Sequence, residues 1–486
     1  MIDIRALCLC CCLLPPALHA AEAALAPGEA RMPGRTVSLS GQTVELTLDD
    51  AVFLGLRRNR AIRSAYLDRI AQKFDLRVEE DRFNPQLALS GRYLASRDQD
   101  DRIRQAELTP GVSLQGPLGT RFSLSWTGQL SETDRAGHQR RQGTTFSVIQ
   151  PLLRGAGDAA TARLRLAHLS EEANRLNLKA AVSDSITQII LAYRELLRAQ
   201  AQVQIARDAL ARTRQLLEAN RAMIEAGRMA AFEIVQTEAD AASQEFAAEE
   251  SDNRLDAARL ELLRLLALDL ETPLHAAETL DARPVTVGLS AALSAAREQQ
   301  PAYLAQIIAA RQAEINLTVA RNERLWDVSL VGGASQSHTR EASYGTNRAW
   351  ETYAGLQFDV PLGDMARQQG VLHARVAVGQ QEIRLEEARQ TLAREVGDAV
   401  RDLGALWRQY EIARRALELS RRKLEIEREK LQAGRSSNFQ VLSFEADLRN
   451  AENARLDSSI AYLNAQAALD RTLGTTLQSW EIELDD

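Results

Sequence analysis

Beyond residue 12 the chain contains no cysteine: Cys8, Cys10, Cys11 and Cys12 are the only four. This excludes a disulfide framework, a thiolate metal site and a cysteine nucleophile from the rest of the sequence. Histidine is scarce too. His19, His138, His168, His275, His338 and His373 are scattered, with no pair at metal-ligand spacing on a helix. "RGAG" (Arg154–Gly157) lacks the Lys-Ser/Thr of a phosphate loop, and no serine nucleophile motif is present. The carboxylates are plentiful but fall on solvated helix faces. These absences argue for no enzyme, no cofactor and no metal. The net charge of −7 is mild and argues against a nucleic-acid partner. No apolar run after the N terminus approaches the ~20 residues of a membrane helix. Aromatics make up only 5% of the residues, while Ala, Leu, Glu and Arg dominate, as in long helices. Proline and glycine are missing from Ala159 to Met223, and Val371–Ala433 holds only Gly379, Gly397 and Gly404. Each stretch is long enough for a helix of roughly 90–100 Å.

The sequence repeats itself. "AGRMAAFEIVQTEAD" (Ala226–Asp240) returns as "AGRSSNFQVLSFEAD" (Ala433–Asp447), 207 residues later. At that offset Asp184–Ala267 aligns with Thr391–Gly474 without a gap, and 27 of the 84 positions are identical, too many for coincidence. Upstream, "VIQPLL" (Val148–Leu153) matches "DVPLG" (Asp359–Gly363), which places Pro151 on Pro361. "PQLALSG" (Pro85–Gly91) matches "WDVSLVG" (Trp326–Gly332), and Leu48–Ala61 matches Leu289–Ala302. The chain is a duplicated unit. Repeat 1 spans 48–270 and repeat 2 spans 289–476, joined by a linker or equatorial element at 271–288 and followed by a tail at 477–486.

Both repeats carry heptads. Ile189, Leu196, Val203, Leu210 and Leu217 are spaced by seven, with small residues at Ala192, Ala199, Ala206 and Thr213. Val396, Leu403, Tyr410, Leu417, Leu424 and Leu431 repeat the stripe. Such a stripe asks for a partner helix. Gly227 and Gly434 end these helices as left-handed caps, and second helices follow over Phe232–Leu268 and Phe439–Leu473. Each repeat therefore ends in a long helical hairpin, with both Ala-Gly-Arg turns at one far tip.

Strand patterns precede the helices. In Arg121–Leu130, Phe122, Leu124, Trp126 and Leu130 alternate with Ser123, Ser125, Thr127 and Gln129. Four strands are expected in repeat 1 (86–97, 106–115, 120–131, 143–150) and two in repeat 2 (327–338, 349–360). Apolar-polar alternation over about ten residues fits a membrane β-barrel, and equally a half-buried sheet of a soluble domain. In a membrane, four to six strands cannot close alone, because an open edge in lipid leaves backbone groups unsatisfied. Several chains would share one barrel.

At the N terminus, Arg5, the apolar run Ala6–Leu14 and "AEA" (Ala21–Ala23) predict an export signal over 1–23, with an N-terminal segment at 24–47.

The duplicated order of strand pair, proline and long hairpin with "AGR…EAD" after the tip resembles the TolC-like outer-membrane efflux protein family over about 48–476. The resemblance implies a mixed α/β membrane protein: a homotrimer whose β-barrel, in outer-membrane lipid, continues into a long α-helical coiled-coil barrel reaching through the periplasm. It implies the exit duct of a tripartite efflux pump or type I secretion system. The partners would be a periplasmic adaptor (membrane fusion) protein and an inner-membrane pump of RND or ABC type. By the same resemblance Pro151 and Pro361 mark strand-to-helix junctions. Ala226, Gly227, Arg228, Ala433, Gly434 and Arg435 form the docking tip. By the repeat, Glu233 and Arg435 lie near a tip, and Glu233 is expected to pair with Arg228 or Arg435, between halves of one chain or between neighbouring copies. The family's gate carboxylates fall on Gln440 and Ser443, with Glu233 the matching acidic position of repeat 1, so the acidic ring is reduced. The hairpin within 106–131 is an addition to the family's four strands. The alternative is a soluble periplasmic coiled-coil scaffold or adaptor, which should be a single hairpin flanked by small β-domains.

Overall fold

The computed structural model describes residues 44–97, 102–134, 137–341, 345–360 and 362–484. The expected export segment, most of 24–47 and Pro361 lie outside the described residues. Repeat 1 comprises β1 (Val44–Leu46), α1 (Leu48–Arg58), α2 (Arg60–Asp81), β2 (Gln86–Arg97), β3 (Arg102–Gln115), β4 (Arg121–Thr133), β5 (Gly137–Pro151), α3 (Ala162–Glu225) and α4 (Ile234–Leu265). After β6 (Leu274–Ala276), repeat 2 comprises α5 (Leu289–Gln299), α6 (Pro301–Glu323), β7 (Asp327–Glu341), β8 (Gly345–Asp359), α7 (Met365–Gln432), α8 (Asn438–Leu473) and the short α9 (Thr476–Ser479).

The duplication extends to helix caps. Asn59 and Gln300, matched in the repeat, separate the first two helices of each half. The Asn59 side chain accepts from the Ala61 and Ile62 amides, and Gln300 Oε1 accepts from the Tyr303 amide at 2.6 Å. Each satisfies amides that a helix start leaves unpaired.

Six strands form one antiparallel sheet in the order β2-β3-β4-β5-β7-β8. The additional hairpin, β3–β4, is part of it and pairs along nearly its whole length on both sides. The register sorts side chains by kind. One face carries Leu87 beside Val112, Val112 beside Leu124, Leu124 beside Phe146, and Leu330 beside Leu356. The other carries Ser113 beside Ser123, Ser123 beside Ser147, Ser125 beside Thr145, and Thr145 beside Ser335. The alternation read from the sequence is thus a two-faced sheet, with Leu124 and Trp126 on the apolar side and Ser125 and Thr127 on the polar side. A Cβ on Gly128 would lie 2.5 Å from the Trp126 ring, so this glycine makes room for the indole.

Below the sheet α3 runs 64 residues and α7 runs 68, about 96 and 102 Å at 1.5 Å per residue. Gly379, Gly397 and Gly404 do not interrupt α7. Its stripe Val396, Leu403, Tyr410, Leu417, Leu424 and Leu431 is buried throughout. On α3 the expected stripe holds at Ile189, Leu196 and Val203. Towards the tip Leu210 and Leu217 are only partly covered, and Ala209, Thr213, Leu216 and Asn220 are buried instead. Here a third helix, α8, packs on α3, and the buried arc turns to meet two neighbours.

Mid-molecule, β1 and β6 pair in parallel, and the Tyr193 hydroxyl donates to the Leu46 carbonyl at 2.9 Å. In repeat 2, Tyr462 donates to the Arg283 carbonyl at 2.8 Å and accepts from the Val285 amide at 2.9 Å. The 271–288 linker is therefore clamped to both hairpins. Burial lowers the Arg194 guanidinium to about 10, where it donates to the Leu463 carbonyl and joins α3 to α8.

Pro151 ends β5 and does not start a helix: it pairs with Ser329, and α3 begins only at Ala162. Gly155 and Gly157, at φ +80° and +62°, turn the chain in between.

Candidate functional site

The far tip is built twice from one recipe. The Gly227 amide donates to the Ile224 carbonyl at 2.9 Å and the Arg228 amide to the Met223 carbonyl at 2.8 Å. Gly434 and Arg435 repeat this on Leu431 and Lys430 at 3.0 and 2.8 Å. These are Schellman closures, which require positive φ at the glycine; Gly227 and Gly434 have φ of 68° and 69°. A Cβ at either would meet nothing within 4 Å, so glycine is needed for the backbone alone.

The returning helix explains the Glu-Ala-Asp of the repeat. Glu238 reaches across the hairpin to Arg221 at 3.6 Å, and Glu445 makes the matching ion pair with Arg428. Glu445 is nearly covered and also accepts from Arg212 of α3 at 3.0 Å, which ties the two repeats together. Asp240 accepts from Thr213 at 3.1 Å and Asp447 pairs with Lys423 at 2.8 Å. Hydrogen bonds from Ser436 and then Lys430 hold the Glu427 carboxyl below its usual range.

Where the hairpins meet, Asn220, Thr237 and Asn438 are buried together. Asn220 Nδ2 donates to Thr237 Oγ1 at 2.8 Å and to Asn438 Oδ1 at 2.9 Å; Asn438 Nδ2 donates to Thr237 Oγ1 at 2.8 Å. Both Ala-Gly-Arg turns thus lie at one end. Glu238, Glu445 and this cluster escaped the sequence reading. The polar Thr213 and Asn220, continuing the small-residue stripe at seven-residue spacing, were the only signal of it.

The expected site residues stand differently. Ala226, Gly227, Arg228, Ala433, Gly434, Arg435, Gln440 and Ser443 are exposed, and Glu233 is partly covered. Among the described residues Glu233 forms no ion pair with Arg228 or Arg435 within the chain, which leaves the pairing between copies; it lies in a separate 3-10 turn leading into α4. Among the described residues no group of three His, Cys, Asp or Glu could hold a metal, and no helix is long and apolar enough to cross a membrane.

The flanks of the molecule are open. In the sheet, β2 and β8 each pair on one side only. Among the long helices, α4 and α7 are outermost, and each buries one stripe against its hairpin partner while a second faces solvent. On α4, Thr237, Gln244, Ser251 and Ala258 are buried, whereas Val235, Phe246 and Leu260 are 62%, 72% and 40% exposed. On α7, Ile412, Leu419 and Ile426, seven apart, are 59%, 64% and 52% exposed. Nearer the sheet α2 exposes Leu67, Ile70, Phe74 and Val78, and α7 exposes Leu372, Val376 and Ile383.

This architecture is known. The channel CmeC of Campylobacter jejuni matches with a TM-score of 0.69 at 15% identity, over 92% of this chain and 93% of that one. The outer membrane protein VceC of Vibrio cholerae matches at 0.67 and 16%, over 88% and 96%. The open-state channel MtrE of Neisseria gonorrhoeae matches at 0.66 and 17%, over 88% and 89%. At such identities the likeness establishes the fold. No curated protein sequence matches the chain. Residues 292–475, nearly all of repeat 2, match the outer membrane efflux protein family. That stretch of the chain is similar to the outer membrane efflux protein family. Repeat 1 is the internal copy of that matched unit, and its β3–β4 hairpin has no counterpart among the described residues of repeat 2, whose strands there are β7 and β8.

Proposed function

We propose that this protein is an outer membrane efflux protein, the exit duct of a tripartite pump or type I secretion system, passively conducting small molecules or polypeptide across the periplasm and outer membrane. Three copies close side by side. The sheets form a β-barrel in the outer membrane and the hairpins a helical barrel below it. A periplasmic adaptor docks at the tip formed by Ala226–Arg228 and Ala433–Arg435, and an inner-membrane pump of RND or ABC type drives transport. Glu233, Gln440 and Ser443 lie at the mouth as gate candidates.

The observation that carries this reading is the matched pair of open flanks. A lone chain would leave α2, α4 and α7 with apolar stripes in water and two strands unpaired, a standing invitation to association. A ring of copies covers all of them at once. The sheet's apolar face suits lipid. From Trp350 to Phe358 it runs nine residues along β8, about 30 Å of strand and about 23 Å of height once tilted, near the ~25 Å apolar band of such barrels. A soluble scaffold would leave that face in water.

Fractionation and sizing test the proposal. The chain should sediment with outer membrane, require detergent for release and elute with the mass of three chains. A detergent-free periplasmic monomer would overturn it.

A further inference from the structure

We infer that the β3–β4 hairpin contributes two additional staves to the barrel wall, so that the assembled pore has six strands per copy and eighteen in all. The inference rests on the channel reading above. Three observations support it.

The hairpin is in the middle of the sheet, not appended to its rim. Removing it in thought would separate β2 from β5, since β2 pairs only with β3 and β5 pairs with β4. It also shares the two-faced chemistry without a break. Val112 and Leu124 continue the apolar face from Leu87 to Phe146, while Ser113, Ser123 and Ser125 continue the polar face. A plug folded into a lumen would have no use for an unbroken apolar side. Its near turn is also anchored at the base of the sheet. Thr120 bonds Gln150 at the end of β5, and Gln150 Nε2 donates to the Leu118 carbonyl at 3.4 Å. A Cβ on Gly119 would lie 2.4 Å from the Gly155 carbonyl oxygen, so the turn is packed directly on the strand-to-helix connection.

Closure follows from parity. With six antiparallel strands, β2 and β8 run in opposite directions, so β8 of one copy can pair antiparallel with β2 of a second copy. This holds for any number of copies. Three give eighteen strands, the number at which porin-type barrels enclose an aqueous channel. With strands about 4.8 Å apart and tilted about 40°, the backbone radius is about 18 Å, against about 12 Å for twelve. The polar face sets small residues such as Ser113, Ser123, Ser125, Thr145 and Ser335 among larger ones, including the Arg92–Glu107 pair. The outer-membrane section is then a wide exit that passes bulky hydrated cargo, and selection falls to the helical end.

Distances between copies decide the matter. On a cysteine-free background, Thr145→Cys on β5 and Ser335→Cys on β7 each place one spin label at a matched level of the wall. In purified trimer, double electron–electron resonance should give a threefold Cα separation of about 30 Å, against about 20 Å for twelve strands. The difference of about 10 Å survives whichever face carries the label. Values near 30 Å at both positions support the wide wall. Values near 20 Å in an outer-membrane trimer overturn it and leave the channel reading standing. A monomer outside the outer membrane overturns the channel reading and this inference with it.

Discussion

Arg212 of α3 and Glu445 of α8 meet at 3.0 Å near the tip, and Arg428 of α7 joins the same carboxylate from the other side. One glutamate therefore holds three helices of two repeats. Its counterpart Glu238 holds only Arg221, and both members of that pair are about half exposed. Removing a nearly covered charge from between two arginines takes the ion pair from Arg428 and leaves Arg212 only Glu452 at 3.4 Å, whereas an exposed pair contributes about 0–1 kcal/mol. Glu445→Gln should cost about 2–4 kcal/mol locally and Glu238→Gln less than about 1 kcal/mol. Hydrogen exchange resolves the two: tip amides of α7 and α8 should exchange faster in Glu445→Gln only. Equal protection in both variants would remove the distinction.

The cluster of Asn220, Thr237 and Asn438 should register the hairpins against each other. Asn220→Ala leaves Thr237 and Asn438 buried without that partner, at about 1–3 kcal/mol. Fluorophores on the two turns should show a broader separation than in the parent. An unchanged distribution would make the cluster mere filling.

Much of this fold was legible in the sequence because its devices are periodic and occur twice. Heptads gave the long helices, alternation gave the strands, and Gly227 and Gly434 gave the turns. What stayed hidden depends on contacts far apart in the chain. Pro151 marks the end of the strand, but the length of the connection is set by Gly155 and Gly157, which put the helix start at Ala162. Whether β3–β4 joins the sheet is set by pairing with β2 and β5, which alternation alone does not specify. Glu233 makes no pair with Arg228 or Arg435 within one chain, while the glutamates of the repeated Glu-Ala-Asp, Glu238 and Glu445, do pair with arginines across the hairpins.

The two faces of the sheet predict unequal tolerance of charge. Leu124→Arg places a cation on the lipid side, at about 2–4 kcal/mol near mid-bilayer, and should cut the yield of assembled trimer. Ser125→Arg, one residue on, faces the lumen of the proposed barrel and should assemble normally. Equal yields would refute the assignment of faces.

At the tip, Gly434→Ala should cost about 1 kcal/mol through the left-handed backbone alone, because nothing surrounds the added carbon. Gly434→Trp should leave folded trimer in the membrane yet block adaptor docking and export. Normal export by that variant would end the docking role.

The central claim is that copies close flank to flank. Arg214 pairs with Glu245, Arg212 with Glu445, and Arg428 with Glu445, so Phe246 of α4 and Ile426 of α7 stand at nearly the same height on opposite flanks. On a cysteine-free background, Phe246→Cys with Ile426→Cys should form disulfides between copies in intact outer membranes. Non-reducing gels should show a ladder of one, two and three chains that stops at three. Monomer alone, with both thiols open to a soluble reagent, or a ladder running past three, would contradict a closed trimeric channel.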